Sequence, residues 1–578
     1  FSGIFTSVET GTVGNAGNIT IDSGSFLLSD DAELIALASG EGNAGNVTVR
    51  VRDAVDIANS KIFSTTEGVG NGGNIDIKAT TLSLRDGAEV SAPTSGQGNA
   101  GNVTLRAQNA VDIADSAISI SVGSEAVGKG GNIDINAATL SLDGAYLSTS
   151  TSGQGNAGNV TVQAQDAVSL ADSDIKSTVE SGGVGKGGNI DILAASLWLK
   201  DGSQLVTSTE DATATAPAGR GDAGNVNVNV TGIVNIAGEK DGLFSRIRSR
   251  VETGTVGNGG NITIDSGSFS LSDDALLESS TFGEGNAGTI EVNAADFFTI
   301  SGSGSNFNSG LFVNSQSPTG TAGDIIVTSP RVTLDNGGTL NAQSASGDGG
   351  GINLQSDLLL MRRGAQISTT AGTEKAGGNG GNINIDASSG FIVAVPGENS
   401  DITANAYTGS GGKVDIRAIG IYGIQPRSNP TLFSDITASS EFGVNGTVEL
   451  NTPDIDPNSG LVNLPTIAAD TEVAQTCQAG GNLAKSSFTI TGRGGLPPNP
   501  GDALNTDAVQ VDLVTLNPNN DNRDRPFVPS KITTPAPEPI IEATSLALNQ
   551  KGEVVLTANL PSTTPHTPWL KPASCRAS

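Results

Sequence analysis

The sequence predicts an all-β protein: a right-handed parallel β-helix of about 15 coils, followed by a proline-rich C-terminal tail that contains further strands. Two observations predict it. The pattern Gly-x-x-Gly recurs at intervals of 27 to 36 residues, and the apolar residues between its copies alternate with polar ones. A repeat of this length is typical of a stack of one structural unit. The copies begin at Gly14, Gly42, Gly70, Gly98, Gly128, Gly155, Gly185, Gly221, Gly257, Gly285, Gly320, Gly347, Gly378, Gly409 and Gly443.

Residues 74–101 show the plan of a single repeat. Residues 74–78 alternate between apolar and polar, residues 82–84 do so again, and Val90 is the next apolar position after a turn signal at residues 85–87. Period-two spacing over three short segments predicts three β-strands per repeat, each with one buried face. No segment keeps a period of 3.6 residues, so we expect almost no helix.

Equivalent residues of successive coils should stack as ladders in such a fold, because each coil pairs with the next at a spacing of about 4.8 Å. The handedness of parallel crossovers predicts a right-handed helix. One inward ladder is predicted to consist of Ile19, Val47, Ile75, Val103, Ile133, Val160, Ile190, Val226 and Ile262.

The Gly-x-x-Gly motif is predicted to form a corner of each coil. A sharp corner needs a positive φ, which glycine adopts easily. The motif is usually followed by asparagine, which suits turns and can hydrogen-bond its stacked neighbour in an amide ladder. We predict this structural role, with ion binding as the alternative. In the first full copies the corner residues are Gly14, Gly17, Asn18, Gly42, Gly45, Asn46, Gly70, Gly73, Asn74, Gly98, Gly101 and Asn102.

Charge and composition exclude several functional classes. The net charge is −30, so the surface repels phosphate backbones and nucleic acid is not an expected partner. The sequence indicates no cofactor, although an acidic surface could attract divalent cations. The period is three times too long for a calcium-binding nonapeptide repeat, and no Cys/His cluster has metal-ligand spacing. No run of 18 apolar residues predicts a transmembrane helix.

A change in composition near Pro453 divides the chain into a repeat array, residues 1–452, and a tail, residues 453–578. The tail holds 16 of the 23 prolines but 8 of the 78 glycines. Strand signals remain at residues 487–491 and 508–513, and two more flank a turn at residues 549–552. These strands could cover the open edge of the last coil.

Both cysteines, Cys477 and Cys575, lie in the tail together with the single histidine, His566. Two cysteines in a chain of this length fit an exported protein with one disulfide, so we predict that they pair. The alternative is two unpaired thiols. His566 has no partner residues in the sequence pattern that would make it a catalytic base.

The start of the chain resembles an internal segment. Residues 1–15 align with residues 244–258, which lie in the middle of the array. Residue 1 therefore falls partway through a repeat, and we expect that a further segment preceded it in a precursor.

The best place for a catalytic site is an irregular insertion with unusual basic residues. Parallel β-helices can host polysaccharide lyases and hydrolases, which use paired carboxylates or an Asp/Arg/Lys set. A surface of local salt bridges is the preferred interpretation. Tyrosine and tryptophan, which sugar-binding clefts favour, are scattered. The candidate residues are Glu210–Gly224, Lys240, Arg246, Arg248 and Arg250. The aromatic residues considered are Tyr146, Tyr407, Tyr422, Trp198 and Trp569.

The repeats and the tail together resemble a known family. Arrays of Gly-Asn-Ala-Gly-Asn-Val-Thr-Val are followed by Ala474-Gln-Thr-Cys-Gln-Ala-Gly-Gly-Asn482, Phe488-Thr-Ile-Thr-Gly-Arg-Gly-Gly-Leu-Pro-Pro-Asn-Pro500, Pro565-His-Thr-Pro-Trp569 and Pro572-Ala-Ser-Cys575. These phrases resemble cyanobacterial filamentous-haemagglutinin-like exoproteins of the two-partner secretion class. The resemblance implies a right-handed β-helix exported by a dedicated outer-membrane partner to the cell surface or medium. The resemblance does not extend to the amino-terminal secretion domain of that family.

Two functions are therefore carried forward. The first is a non-catalytic extracellular adhesin, or the subunit of a fibre formed by head-to-tail contacts, with a surface polysaccharide or receptor as a further partner. The second is a β-helix polysaccharide lyase or hydrolase, which would need a cleft with converging carboxylates or basic residues on one face.

Overall fold

The computed structural model describes residues 2–302, 308–316, 320–453, 545–548 and 554–557. Contacts divide the chain into two units, Phe1–Ser459 and Gly460–Ser578. The first unit is an all-β parallel solenoid with about 14 turns between residues 3 and 422. The sequence predicts about 15 coils because it has fifteen corner motifs. Counted as intervals between successive corners, these motifs give fourteen coils. The one helix among the described residues is the short 3-10 turn Pro396–Glu398.

Each coil contributes a first, a second and a third strand, as the sequence predicts. First and second strands build sheet 1, which has 23 strands within the described residues. The first strands that stand alone are Ile19–Ser23, Val47–Val51, Ile75–Ala79, Val103–Ala107, Ile190–Ala194, Val226–Val230, Ile325–Thr328, Ile352–Gln355 and Thr447–Asn451. The separate second strands are Phe26–Leu28, Ala54–Ala58, Thr81–Arg85, Ala110–Ala114, Ser196–Lys200, Ile233–Ile236, Arg331–Asp335 and Leu358–Met361.

In six coils the first and second strands are continuous. These long strands are Ile133–Asp143, Val160–Ala171, Ile262–Ser272, Ile290–Ser301, Ile383–Ala394 and Lys413–Tyr422. Several of them contain a register shift where the two strands join, for example between Ser266 and Ser268. The chain bends at this point without leaving the sheet.

Sheet 2 contains the third strands together with Gln425–Pro426, and the small hairpin of Glu239–Lys240 with Leu243–Phe244 precedes one of them. All strand pairs within sheets 1 and 2 are parallel, since each strand pairs with its equivalent in the next coil. The third strands are Gly3–Val8, Glu33–Ala38, Lys61–Thr66, Glu89–Ser91, Ala117–Val122, Tyr146–Thr151, Asp174–Val179, Gln204–Thr209, Arg246–Val251, Leu276–Thr281, Gly310–Phe312, Thr339–Asn341, Gln366–Ser368, Asp401–Thr403 and Asp435–Thr437.

The core is a set of inward ladders that run along the solenoid. The predicted ladder from Ile19 to Ile262 is confirmed, because every neighbouring pair is in register and every member is buried. Most ladder residues are Val, Ile or Leu, whose branched side chains pack well on a pleated surface. Phe269 and Phe298 are an exception: their buried rings stack with centroids 5.0 Å apart.

In the second unit the structure describes one strand pair. Ser545–Leu548 is antiparallel to Val554–Thr557, at the two tail segments that flank the predicted turn. The other predicted tail strands, at residues 487–491 and 508–513, lie outside the described residues. Cys477, Cys575, His566 and Trp569 lie outside them as well.

Candidate functional site

The Gly-x-x-Gly motif forms the corner between the third strand of one coil and the first strand of the next. The first glycine has a positive φ in several copies, for example 142° at Gly42 and 144° at Gly98. The second glycine, such as Gly45 or Gly101, is not among the residues with positive φ. The conformational reason that the sequence suggested therefore applies to the first glycine and does not explain the second.

The second glycine is required by close stacking of the coils. A Cβ atom on Gly45 would lie 1.9 Å from the carbonyl oxygen of Gly17 in the preceding coil. The corresponding distances are 2.2 Å from Gly73 to the oxygen of Gly45 and 1.9 Å from Gly101 to the oxygen of Gly73. Each corner thus packs directly on the backbone of the corner before it, where no side chain fits.

Asparagine after the motif connects the corners by hydrogen bonds. The backbone N–H of Asn46 donates to Oδ1 of Asn18 at 2.8 Å, and the N–H of Asn74 donates to Oδ1 of Asn46 at 2.8 Å. The N–H of Asn102 continues the series to Oδ1 of Asn74 at 2.9 Å. The ladder therefore runs mainly from side-chain oxygen to backbone N–H, whereas the sequence suggested stacked amides.

A second ladder lies at the position after the first glycine. The N–H of Asn43 donates to Oδ1 of Asn15 at 2.9 Å, and further along Asp222 occupies the acceptor position and accepts from the N–H of Asn258 at 3.0 Å. This bond, together with the Lys186 ammonium, holds the pKa of Asp222 below its usual value although partial burial opposes it. The sequence shows the recurring asparagine, but its role was not recognised there.

The ladder predicts that Asn46 can be replaced by aspartate but not by alanine. Asn46→Ala removes the acceptor for the N–H of Asn74, so we expect a loss of about 1 kcal/mol in unfolding free energy. Asn46→Asp keeps an acceptor oxygen and should cost less. Hydrogen exchange at the N–H of Asn74 measures the difference directly.

The pH dependence of Asn46→Asp gives a control for this prediction. A carboxylate that accepts a backbone N–H has a lowered pKa when folded, so its stabilisation is present above the unfolded pKa and is lost as the pH falls through the folded pKa. The aspartate variant should therefore lose stability relative to the parent on acidification. Equal exchange rates at the N–H of Asn74 in the alanine and aspartate variants would contradict the ladder.

Buried hydroxyl groups on the inner side of the solenoid form hydrogen bonds with the backbone of the corners. Oγ of Ser177 donates to the carbonyl oxygen of Gly158 at 2.8 Å and accepts from the N–H of Gly188 at 2.8 Å. These hydroxyls satisfy corner groups that would otherwise be buried without partners. The role of these hydroxyls was not predicted from the sequence, although serine or threonine recurs at this inward position. The third-strand residues that donate in this way are Ser64, Thr149, Ser177, Thr207, Ser249, Ser279 and Thr369.

The chain also turns sharply between the second and third strands, at a left-handed residue that is often acidic. Asp86, Asp115, Asp172 and Asp201 have φ values of 58°, 46°, 47° and 54°. Aspartate and asparagine tolerate this conformation better than other side chains with a Cβ. The Asp-Gly turn signals of the sequence lie here.

The predicted insertion follows the third strand Gln204–Thr209 and precedes the next corner. The hairpin that carries Lys240 comes one coil later, and its Nζ forms an ion pair with Oδ2 of Asp172 at 2.5 Å. Lys240 is therefore paired with a residue at the turn between the second and third strands of an earlier coil. The hydrogen bond and ion pair of Lys240 are not shared with Arg246, Arg248 and Arg250.

Arg246, Arg248 and Arg250 do lie together, on the outer face of sheet 2. They occupy alternate positions of one strand whose other residues are fully buried, so all three point outward. Arg250 pairs with Glu252 at 2.9 Å between Nη2 and Oε2, and lies 3.8 Å from Glu278 in the next coil. Its guanidinium also stacks 4.0 Å from the ring centre of Phe282. The expectation of a salt-bridged surface agrees with this part of the cluster.

Arg246 differs from its neighbours. Its Nε donates to Oε1 of Gln204 at 2.8 Å, and no carboxylate of the described residues lies within ion-pair distance. Burial lowers the pKa of Arg246 to about 10; repulsion from Arg248 and Arg250 adds to the effect, and attraction from Glu278 and Asp174 opposes it. The guanidinium of Arg246 thus carries a positive charge in an environment that disfavours it.

Burial also raises the pKa of Glu252, although Arg250 and Arg248 oppose the shift. The site therefore holds charges of both signs in partly desolvated positions. Arg248 contributes a weak contact of 3.7 Å to Glu252. Nε of Arg248 and Nε of Arg250 are buried without a hydrogen-bond acceptor.

A groove of about 340 Å³ adjoins the arginines on the same face. Glu278 belongs to both regions, because it pairs in register with Arg248 on one side and with Phe312 on the other. The groove is rich in amide side chains and contains one aromatic ring. It is lined by Leu276, Glu278, Asn308, Phe312, Asn314, Thr339, Asn341 and Gln366.

A second groove, of about 400 Å³, lies on sheet 1 where first and second strands join. Asp265, Asp357 and Asp386 contribute to its lining, together with several serines. Hydrogen bonds from the side chain and backbone of Ser388 lower the pKa of Asp386. A general acid needs a raised pKa, so the environment of Asp386 favours an ionised, acceptor role.

The aromatic residues considered in the sequence do not converge. Tyr146 is on sheet 2, where the ammonium of Lys176 lies 5.3 Å from its ring centre. Trp198 and Tyr422 are on sheet 1, more than two hundred residues apart. Tyr407 contacts Phe442 near the end of the described array.

Within the residues that the structure describes, no group of three or more His, Cys, Asp or Glu side chains is arranged to hold a metal ion. The same residues contain no helix with the length and apolar character needed to span a membrane. Comparisons with protein-family models, with curated proteins and with solved structures found no match for the chain. What is shown is therefore a parallel β-solenoid protein.

Proposed function

We propose that this chain is a non-catalytic extracellular adhesin or fibre subunit, similar to filamentous-haemagglutinin-like exoproteins. The observation that supports this most is the continuous stack of about 14 turns, with one apolar core along its length. At about 4.8 Å per coil this gives a stiff body nearly 70 Å long. Such a body presents the same kind of polar surface many times, which suits repeated weak contacts with another surface.

The sequence resemblance supports the rest of the proposal. It implies export through an outer-membrane transporter of the two-partner secretion class, and a location on the cell surface or in the medium. Surface polysaccharide is the partner that fits a net charge of −30 better than nucleic acid does, because a polyphosphate would be repelled.

Self-association into fibres would use the outermost strands. Within the described residues, Gly3–Val8 pairs only with Glu33–Ala38, and Thr447–Asn451 pairs only with Lys413–Tyr422. Each therefore has one strand edge to which a further coil could add, whether from another copy or from a longer chain. Electron microscopy of the secreted protein distinguishes single rods from fibres.

A polysaccharide lyase or hydrolase is the second candidate, favoured by the groove that Asp265, Asp357 and Asp386 line. One experiment separates the two functions. The purified chain is incubated with acidic and neutral polysaccharides, and both co-sedimentation and the release of reducing or unsaturated ends are measured.

We expect co-sedimentation without new chain ends. Product release that Asp386→Asn abolishes would instead support an enzyme at the sheet 1 groove. An absence of binding to polysaccharides and to whole cells, together with an absence of fibres, would contradict the adhesive proposal.

A further inference from the structure

Among the described residues, no carboxylate lies within ion-pair distance of Arg246. Arg250 has Glu252 and Glu278, whereas Arg246 has the neutral amide of Gln204. A partly buried guanidinium without a directly paired carboxylate is costly, since burial removes water, and the attraction of Glu278 and Asp174 offsets this only in part. The arrangement would gain stability from an external carboxylate.

The surroundings of Arg246 restrict the ligand that could supply this carboxylate. Glu252 and Glu278 stand beside the arginines, so a dense polyanion such as nucleic acid would meet two negative charges. A ligand with widely spaced single carboxylates avoids them. It could place one carboxylate at Arg246 while its neutral parts pass Glu278.

The adjoining groove is suited to such neutral parts. Asn308, Asn341 and Gln366 offer amide donors and acceptors, which match the hydroxyl groups of a sugar. Phe312 offers an apolar ring face of the kind on which sugar rings stack. A site that combines a few polar groups with an aromatic surface is the usual form of a small-ligand groove.

The groove also has the direction and length for a linear polymer. Arg246 and Leu276 are in register, and the ladder continues through Gly310 and Thr339 to Gln366. Five neighbouring third strands at about 4.8 Å each span about 19 Å along the solenoid axis. A polysaccharide chain that lies along this axis would contact each strand in turn.

We propose that the outer face of sheet 2 from Arg246 to Gln366 binds a linear polysaccharide that carries uronic acid carboxylates. Arg246 pairs with one carboxylate, and the amide groups of the groove bind hydroxyls of the following sugars. This inference rests on the proposed adhesive function and adds the class of its ligand and the place of contact.

Binding of hyaluronan, a linear polysaccharide with one uronic acid carboxylate per disaccharide, by the full chain tests the proposal. At low salt we expect measurable affinity by calorimetry, which weakens as salt is added. Arg246→Gln should reduce the affinity at least 10-fold. The matched control is Arg106→Gln on sheet 1, which removes the same charge but leaves Arg246 in place; Arg106 is paired with Asp76 at 2.7 Å.

A second variant, Asn341→Ala, tests the groove at a distance from the arginines. It should weaken hyaluronan binding several-fold without changing the salt dependence, because it removes no charge. Circular dichroism and the guanidinium unfolding midpoint of each variant confirm that the solenoid is intact. A loss of affinity that appears while these remain unchanged supports a direct contact.

Three results would overturn the proposal: equal affinity for hyaluronan and dextran, tighter binding of single-stranded DNA, or equal losses in Arg246→Gln and Arg106→Gln. Any of them would leave the adhesive function untouched if the chain still binds whole cells or forms fibres. If binding to cells and fibre formation also fail, then the proposed function fails as well.

Discussion

Gly101→Ala is expected to destabilise the solenoid by about 3 kcal/mol or more, at or beyond the upper end of typical overpacking costs. The new Cβ would lie 1.9 Å from the carbonyl oxygen of Gly73, and backbone atoms cannot avoid it by changing a rotamer. Separating the two coils would lengthen the bond from the N–H of Gly72 to the carbonyl oxygen of Asn99, now 2.8 Å, and the bond from the N–H of Asn102 to Oδ1 of Asn74.

The chain contains a matched control for this substitution. Gly17 occupies the same place in the first corner, where a Cβ would meet only Cγ2 of Thr6 at 3.4 Å. Gly17→Ala should be neutral or stabilise by up to about 1 kcal/mol, because alanine restricts the unfolded chain more than glycine does. The two variants thus differ in the stacked backbone and in burial, since Gly17 is exposed and Gly101 is buried.

Local measurements are needed for this comparison, because a long repeat array need not unfold in one step. Hydrogen exchange near each corner gives the free energy of local opening, and soluble yield gives a coarse check. Similar losses in Gly17→Ala and Gly101→Ala would contradict the requirement for glycine that follows from the stacked backbone. In that case the close approach between coils would not be the cause.

At these corners the sequence specifies the strands of each coil but not the contacts between coils. Periodicity predicts the strands of each coil and the ladder from Ile19 to Ile262, because both follow from short-range alternation. Glycine is required at position 101 because of the carbonyl oxygen of Gly73, a residue 28 positions earlier in the chain. Contacts between coils are set by the pitch of the stack, which alternation does not specify.

The arginine cluster shows the same difference between features set by local sequence and features set by contacts between coils. Arg246, Arg248 and Arg250 stand out in an acidic sequence, and their spacing places them on one face of a strand. Glu252 pairs with Arg250 and lies 3.7 Å from Arg248, whereas Arg246 hydrogen-bonds the neutral Gln204 of the preceding coil. This difference between the three arginines depends on contacts between coils and is visible only in the structure.

Phe298→Ala is expected to cost about 3–5 kcal/mol, the usual range when a buried phenylalanine is truncated. Phe298 is fully buried, and its ring stacks on Phe269 with centroids 5.0 Å apart and planes inclined by 16°. The next residue of the ladder, Val332, is smaller and held by its own strand pairs. The cavity can therefore collapse only in part, and local hydrogen exchange in these coils should show the loss.

A conservative pair of variants separates the aromatic stack from simple burial. Leucine is common elsewhere in this ladder, so Phe298→Leu and Phe269→Leu should each cost about 1 kcal/mol as near volume-conserving changes. If the stacked rings attract each other beyond their buried area, the double variant should cost less than the sum by about 0.5–1.5 kcal/mol. Additive losses would show that the two rings stabilise the solenoid only as apolar volume. A coupling of that size would instead show that the two rings attract each other specifically, in a way that the aliphatic residues of the ladder do not.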